Sequence, residues 1–260
     1  TRLAWQQYAA ISLMTLSAVL LSWTNVPREN AETWYWGLLV QTYWVLGVGY
    51  LVYGFAVAHW LRTADTWRTS AQQSALAMLG LATACLLLIV TGELANWANA
   101  SPVNSTAAQA SLIGGMSVAL AISLIVVALV PKQLAVAPSM ALRQAHVYAA
   151  QGLLTVSIVH TAITMPWLFR FGLQQYWPYI AMGLAFAGIG VWHLLQRRRL
   201  IVLAEPLATS LMFFPAVAAL LALGLQSQSD RSLVMLLAGM VYGALAVTHP
   251  GFWTRFIALA

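Results

Sequence analysis

Long apolar runs, separated by short polar or proline-bearing connections, recur along the whole chain. Their lengths are near the roughly 20 residues that a helix needs to cross the hydrocarbon layer of a membrane. The runs lack the alternating pattern of barrel strands, and a backbone in lipid must satisfy its hydrogen bonds within each segment. The pattern therefore predicts an all-α, polytopic integral membrane protein with about eight transmembrane helices, over residues 5–23, 32–61, 73–98, 107–130, 140–163, 178–196, 208–226 and 232–248.

The chain also resembles itself. The Tyr-Ala-Ala segment at 8–10 reappears at 148–150, and the second predicted helix matches the sixth once one gap is allowed, with His59 opposite His193. These matches predict two parallel four-helix repeats, residues 1–135 and 136–260. An even number of spans in each repeat places their symmetry axis along the membrane normal, an arrangement that is found in transporters and also suits plain scaffolds.

The composition excludes a water-soluble globule, because 61% of the residues are hydrophobic and only 7% are charged. In a soluble protein the net charge of +6 would suggest nucleic acid, but here the basic residues lie between apolar runs. They are therefore interpreted as topology signals, and no nucleic-acid partner is expected. Most of them fall on one side of the membrane, which predicts cytoplasmic N- and C-termini. The run Arg197, Arg198 and Arg199 is expected to anchor its helix at anionic lipid.

Histidines are the first candidates for chemistry, because imidazole binds haem or a metal. His146 and His160 lie 14 residues apart on one predicted helix, which is about 21 Å along its axis. This spacing resembles the haem-ligating histidine pairs of membrane cytochromes b, and the resemblance covers this one helix. Separately, four histidines are predicted at the inner membrane face: His59, His146, His193 and His249. Two of them could hold haem b or a quinone. The alternative is that they are ordinary interfacial side chains.

Glu93 and His160 form the second candidate site. Glu93 is the only acidic residue well inside an apolar run, and both residues are predicted towards the outer side. A charged carboxylate at the membrane centre costs about 3 kcal/mol and by default marks a functional site. If the two side chains meet, they could hold or exchange a proton, or contribute to a cation or quinone pocket. The alternative is that Glu93, about a turn from Trp97, reaches the headgroups.

The remaining sequence features exclude few classes of function. The single cysteine, Cys85, excludes an intrachain disulfide, and neither a metal site nor an established catalytic motif is recognised. The leading hypothesis is a non-enzymatic membrane domain, a transporter-like or scaffolding unit of a larger membrane protein or complex, with lipids and other membrane subunits as partners. The competing hypotheses are membrane electron transfer with haem b or quinone, and a lipid-modifying enzyme that uses Glu93 and His160.

Overall fold

The computed structural model of the protein describes residues 2–26, 31–57, 66–99, 107–130, 139–165, 176–222 and 228–248. Within these ranges there are eight α-helices and no strand, which confirms the predicted all-α class. A π-helical segment, Val52–Val57, continues the second helix. The helices are α1 Arg2–Trp23, α2 Ala31–Leu51, α3 Thr66–Ala98, α4 Ala107–Leu129, α5 Met140–Thr164, α6 Trp177–Arg197, α7 Ile201–Ala222 and α8 Gln228–Thr248.

Two helices begin about two turns before their predicted starts. We expect α3 from residue 73 and α7 from residue 208, but they begin at Thr66 and Ile201. Pro206, predicted to lie in a connection, is inside α7 together with Pro215. A proline removes one backbone hydrogen bond, and membrane helices tolerate this where neighbouring groups satisfy the freed carbonyl. Local composition is therefore a poor guide to where these two helices start.

Six of the described helices, α3 to α8, are long and apolar enough to cross a membrane. They give the protein the architecture of a multi-pass integral membrane protein. The helices α1 and α2 are not in this group. Residues 5–8 of α1 are Trp-Gln-Gln-Tyr, and residues 34–36 of α2 are Trp-Tyr-Trp. These side chains lower the mean hydropathy of the two helices. Tryptophan and tyrosine are nevertheless common at the membrane interface. The predicted count of eight spans is therefore not confirmed.

The first compact unit, Thr1–Leu168, contains α1 to α5. In it α2 and α3 pack side by side with α1 against both, while α5 packs along α4 and also touches α3. The core consists of fully buried apolar side chains such as Leu86, Ile89, Ile113 and Leu120. Large leucines also cover the outer face, with Leu87 and similar side chains half exposed. Apolar residues on both the inside and the outside are expected when lipid surrounds a bundle.

The second compact unit, Phe169–Ala260, contains α6, α7 and α8, which all pack against one another. Its core includes Trp192, Met212 and Leu245. The hydroxyl of Tyr242 donates a hydrogen bond to the backbone carbonyl of Met212 across 3.0 Å and so ties α8 to α7. The three helices therefore have a core of their own.

The predicted duplication concerns ancestry, and packing does not test it. The contact boundary lies between Leu168 and Phe169, whereas the predicted repeats divide at 135/136, between the closely packed α4 and α5. Two parallel repeats stay a prediction.

A tight turn joins α6 to α7. Arg199 adopts a positive φ of 57°. The amide of Leu200 donates to the carbonyl of Leu195, and that of Arg199 donates to the carbonyl of Gln196, each across 2.9 Å. This pair of bonds defines a Schellman motif, in which the left-handed position is usually glycine. An arginine there costs about 1 kcal/mol of backbone strain.

We expect Arg199→Gly to raise the free energy of unfolding by about 1 kcal/mol, because glycine adopts the left-handed conformation without that strain. Thermal unfolding of the detergent-solubilised protein measures the change. Arg198→Gly is the matched control, since it removes the same charge at a residue with φ −80° and should not stabilise. Equal effects of the two substitutions would mean that charge, not backbone strain, is responsible.

Candidate functional site

Glu93 and His160 meet inside the first unit. Glu93 lies near the end of α3 and His160 lies on α5, and their side chains are only 1% and 0% exposed. His160 Nδ1 is 2.7 Å from Glu93 Oε2, a charge-assisted hydrogen-bond distance. Glu93 thus turns into the helix bundle instead of reaching outward from it.

A glycine beside Glu93 brings α2 close to this pair. A Cβ atom added to Gly92 would lie 2.3 Å from Cη2 of Trp36, far inside van der Waals contact. The indole of Trp36 therefore lies directly on the α3 backbone, one residue before the carboxylate, and it is itself buried. This contact places a large apolar ring next to the ionisable site.

The face of α5 that carries His160 also carries three hydroxyl groups. Thr161 Oγ1 donates to the carbonyl of Ser157 and Thr164 Oγ1 donates to the carbonyl of His160, each across 2.8 Å. A Cβ atom on Gly114 of α4 would lie 3.9 Å from Ser157 Oγ and 4.0 Å from Thr161 Oγ1. These are ordinary van der Waals distances, so α4 lies alongside the hydroxyl-bearing face of α5.

The second ring nitrogen of His160, Nε2, has no hydrogen-bond partner in the part of the chain that the structure describes. Nε2 is fully buried and makes no hydrogen bond within the described residues. A buried polar group without a hydrogen bond costs about 1–3 kcal/mol, so this atom is a place where a ligand or a water would gain a contact. It is the clearest unsatisfied group at the site.

Glu93 and His160 can share one proton. The pair is then either a carboxylate with an imidazolium or a carboxylic acid with a neutral imidazole, and in both arrangements the pair itself has no net charge. His160 Nδ1 and Glu93 Oε2 are 2.7 Å apart, so a proton can pass between them.

His146 occupies the far end of the same helix. It is largely buried, and its Nδ1 lies 2.7 Å from the carbonyl of Leu142. In both buried histidines of α5 Nδ1 is engaged, by a backbone carbonyl in His146 and by a carboxylate in His160. Nε2 is then the nitrogen that each has available for a ligand.

The predicted inner-face histidines are only partly visible. His193 is exposed on α6 in the second unit, and His59 and His249 lie outside the described residues, so binding of haem b or quinone by this set stays a prediction. The side chains of Arg197, Arg198 and Arg199 are exposed around the α6–α7 turn, and their contact with lipid is likewise untested. Among the residues that the structure describes, no three His, Cys, Asp or Glu side chains cluster closely enough for a metal ion.

Polar contacts between α1 and α3 are the main feature that the sequence did not reveal. Ser70 Oγ donates to Gln7 Oε1 across 3.0 Å, and both side chains are buried. One turn further along, Tyr8 donates to Gln73 Oε1. The sequence assigns Ser70 to a connection, so the contact is missed. The helical spacing of Ser70, Gln73 and Ser74 is the signal that could have indicated a polar face.

Comparisons with protein-family models, curated proteins and solved structures give no match.

We expect the contact between Glu93 and His160 to appear as a coupling energy. Glu93→Leu and His160→Leu should each destabilise the protein by about 3 kcal/mol or more, because each leaves a buried polar partner unsatisfied. The double variant should lose less than the sum, with a coupling of about 1–3 kcal/mol. Denaturant unfolding in detergent micelles measures all four proteins.

The control cycle pairs Glu93→Leu with His146→Leu, whose positions on α3 and α5 have no hydrogen bond to one another. These two changes should be additive within about 0.5 kcal/mol. Additivity in the Glu93–His160 cycle as well would show that the buried contact carries no energy of its own.

Proposed function

We propose that the chain is a transporter-like membrane domain in which Glu93 and His160 hold and exchange a proton as a small apolar or weakly polar solute crosses. The observation that carries the proposal is the complete burial of this carboxylate–imidazole pair, at 1% and 0% exposure, with one ring nitrogen left unpartnered. Ionisable residues within membrane helices typically mark solute paths and proton relays.

A plain scaffold has no evident need of such a pair. A buried ion pair usually stabilises a fold no better than apolar side chains of similar volume would, and the surrounding helices are already joined by an extensive apolar core. The pair is therefore better explained by a role in function than by a role in stability. A strongly charged solute is disfavoured, since its path would require more polar lining.

The charge of the pair suggests how a proton and a conformation are coupled. With one proton the pair is neutral and compatible with a dry, closed bundle. Gain or loss of a proton leaves a net charge and favours a conformation in which water or solute reaches His160 Nε2. Proton exchange and solute access then occur in the same open state.

We also infer eight spans in two duplicated halves, 1–135 and 136–260, with both termini cytoplasmic. The internal sequence matches and the one-sided distribution of lysine and arginine support this arrangement. Membrane lipids and further membrane subunits are the expected partners.

Glu93→Gln should abolish proton-coupled flux, because an amide keeps the shape of the side chain but cannot hold the proton. Purified protein in liposomes with an internal pH dye is given a panel of small apolar and weakly polar solutes under an imposed proton gradient. The wild type should show a solute-dependent pH change, and Glu93→Gln should reduce its rate at least about tenfold, a loss of about 1.4 kcal/mol or more in transition-state stabilisation.

Glu205→Gln on α7 is the matched control, as it makes the same chemical change in the second unit and should retain the flux. Absence of wild-type flux across the whole panel would favour the scaffolding role over transport.

Membrane electron transfer is the second candidate. The observation that favours it is the hydrogen bonding of the two buried histidines of α5. Nδ1 of His160 bonds to the Glu93 carboxylate and Nδ1 of His146 bonds to the Leu142 carbonyl, which leaves Nε2 of each ring for a ligand. Histidines that ligate a metal commonly donate their other ring nitrogen to such a group, which fixes the orientation of the ring. His160 and His146, about 21 Å apart along α5, would then each hold a different haem b through Nε2, and the haem iron would supply the one-electron chemistry.

If haem is bound, protein purified from haem-replete cells should show a Soret band that His160→Phe or His146→Phe weakens. Ile158→Phe is the control, because Ile158 is 64% exposed on the same helix and its replacement should leave the band unchanged. A clean visible spectrum of the wild type would rule this candidate out.

A further inference from the structure

A cavity of about 530 Å³ lies between α1, α2 and α3 of the first unit. This volume falls within the range of sites that bind small ligands. Leu16 and Leu81 line the cavity and are themselves 54% and 58% exposed. The cavity therefore opens on the outer face of the helices, where lipid lies, and a ligand can enter it sideways from the membrane.

The middle of the cavity is effectively apolar although threonines line it. The hydroxyl of Thr15 donates to the carbonyl of Ile11 across 2.9 Å, and that of Thr42 donates to the carbonyl of Leu38 across 2.7 Å. Thr42 also accepts a hydrogen bond from Trp23 Nε1 across 2.9 Å. These hydroxyl hydrogens are already used within the protein, so this part of the wall suits a hydrocarbon chain.

One end of the cavity is polar. Tyr8 and Gln73 both line it, and the phenol of Tyr8 donates to the side-chain carbonyl of Gln73. The amide N–H groups of Gln73 and the hydroxyls of Ser12 and Ser74, which also line the cavity, are hydrogen-bond donors on its wall. The adjacent bond between Ser70 and Gln7 ties α1 to α3 at the same level. The polar end is thus held in place by two interhelical contacts.

None of the described residues that line the cavity is charged. A headgroup that carries a charge would therefore lose its hydration without gaining a partner of opposite charge, which is strongly unfavourable. A head that presents a carbonyl oxygen gains a hydrogen bond from Gln73 instead. Charge and hydrogen bonding together select one ligand chemistry.

We propose that this cavity binds one molecule of an uncharged lipid with a long apolar tail and a carbonyl-bearing head. The tail lies along the apolar middle of the cavity and the head accepts a hydrogen bond from the Gln73 amide. Two kinds of lipid share this chemistry, a prenylated quinone and a diacylglycerol. The site is separate from Glu93 and His160, so the proposal goes beyond the proton exchange proposed above and rests only on the inference that α1 and α2 lie in the membrane.

Native mass spectrometry of protein from nanodiscs tests the proposal. Separate preparations contain a prenylated quinone, diacylglycerol or the anionic lipid phosphatidylglycerol. We expect the protein to retain one molecule of at least one of the two uncharged lipids in preference to phosphatidylglycerol, and the lipid retained identifies the source. Retention of none, or equal retention of all three, would overturn the proposal.

Two pairs of variants show whether the lipid lies in the cavity. Ala77→Phe fills the cavity from an exposed wall position on α3 and should weaken retention at least tenfold. Ala95→Phe, also exposed on α3 but outside the cavity, should not. Gln73→Leu should weaken retention of the carbonyl-bearing lipid, and Gln6→Leu, an exposed glutamine outside the cavity, should not.

If Ala77→Phe retains the lipid as well as Ala95→Phe does, the molecule is bound elsewhere and the assignment is wrong. All four variants alter side chains that are at least partly exposed, so folding can be checked independently by their thermal unfolding. Transport or haem binding that fails in the earlier experiments would leave this result unaffected, because Glu93 and His160 are unchanged in every variant.

Discussion

A carboxylate buried among membrane helices needs a partner within hydrogen-bond distance, because no water reaches it and an isolated charge there is strongly disfavoured. Glu93 finds that partner in His160, 67 residues further along the chain, across 2.7 Å. The contact requires α3 and α5 to adopt one particular rotation and height relative to each other. Gly92 permits the close approach of Trp36 from α2 beside this contact.

The same constraint explains the role of the other interhelical hydrogen bonds. Apolar side chains cover both the inner and the outer faces of the first unit, so burial of apolar surface discriminates poorly between alternative helix rotations in lipid. Close packing and polar contacts take over that role. The buried hydroxyls of Tyr43 and Ser117, 2.7 Å apart, join α2 to α4, and Gln7 and Ser70 join α1 to α3.

Two sites with different chemistry result within the first unit. The Glu93–His160 site is buried and ionisable, and His160 Nε2 makes no hydrogen bond to the described residues. The cavity between α1, α2 and α3 has no charged side chain among its described lining residues and opens on the exposed face of the helices. The first site is closed and ionisable, whereas the second is uncharged and open at the side.

Length and apolarity are local properties of a segment, so the sequence alone predicts the helical class and the approximate positions of the helices. It also predicts Glu93 and His160 as a candidate pair, because both are placed towards the outer side and Glu93 is the lone acid well inside an apolar run. The contact between them, the early starts of α3 and α7 and the cavity between α1, α2 and α3 appear only in the folded chain. These features depend on how helices rotate and dock, and hydropathy carries little information about rotation when both faces of a helix are apolar.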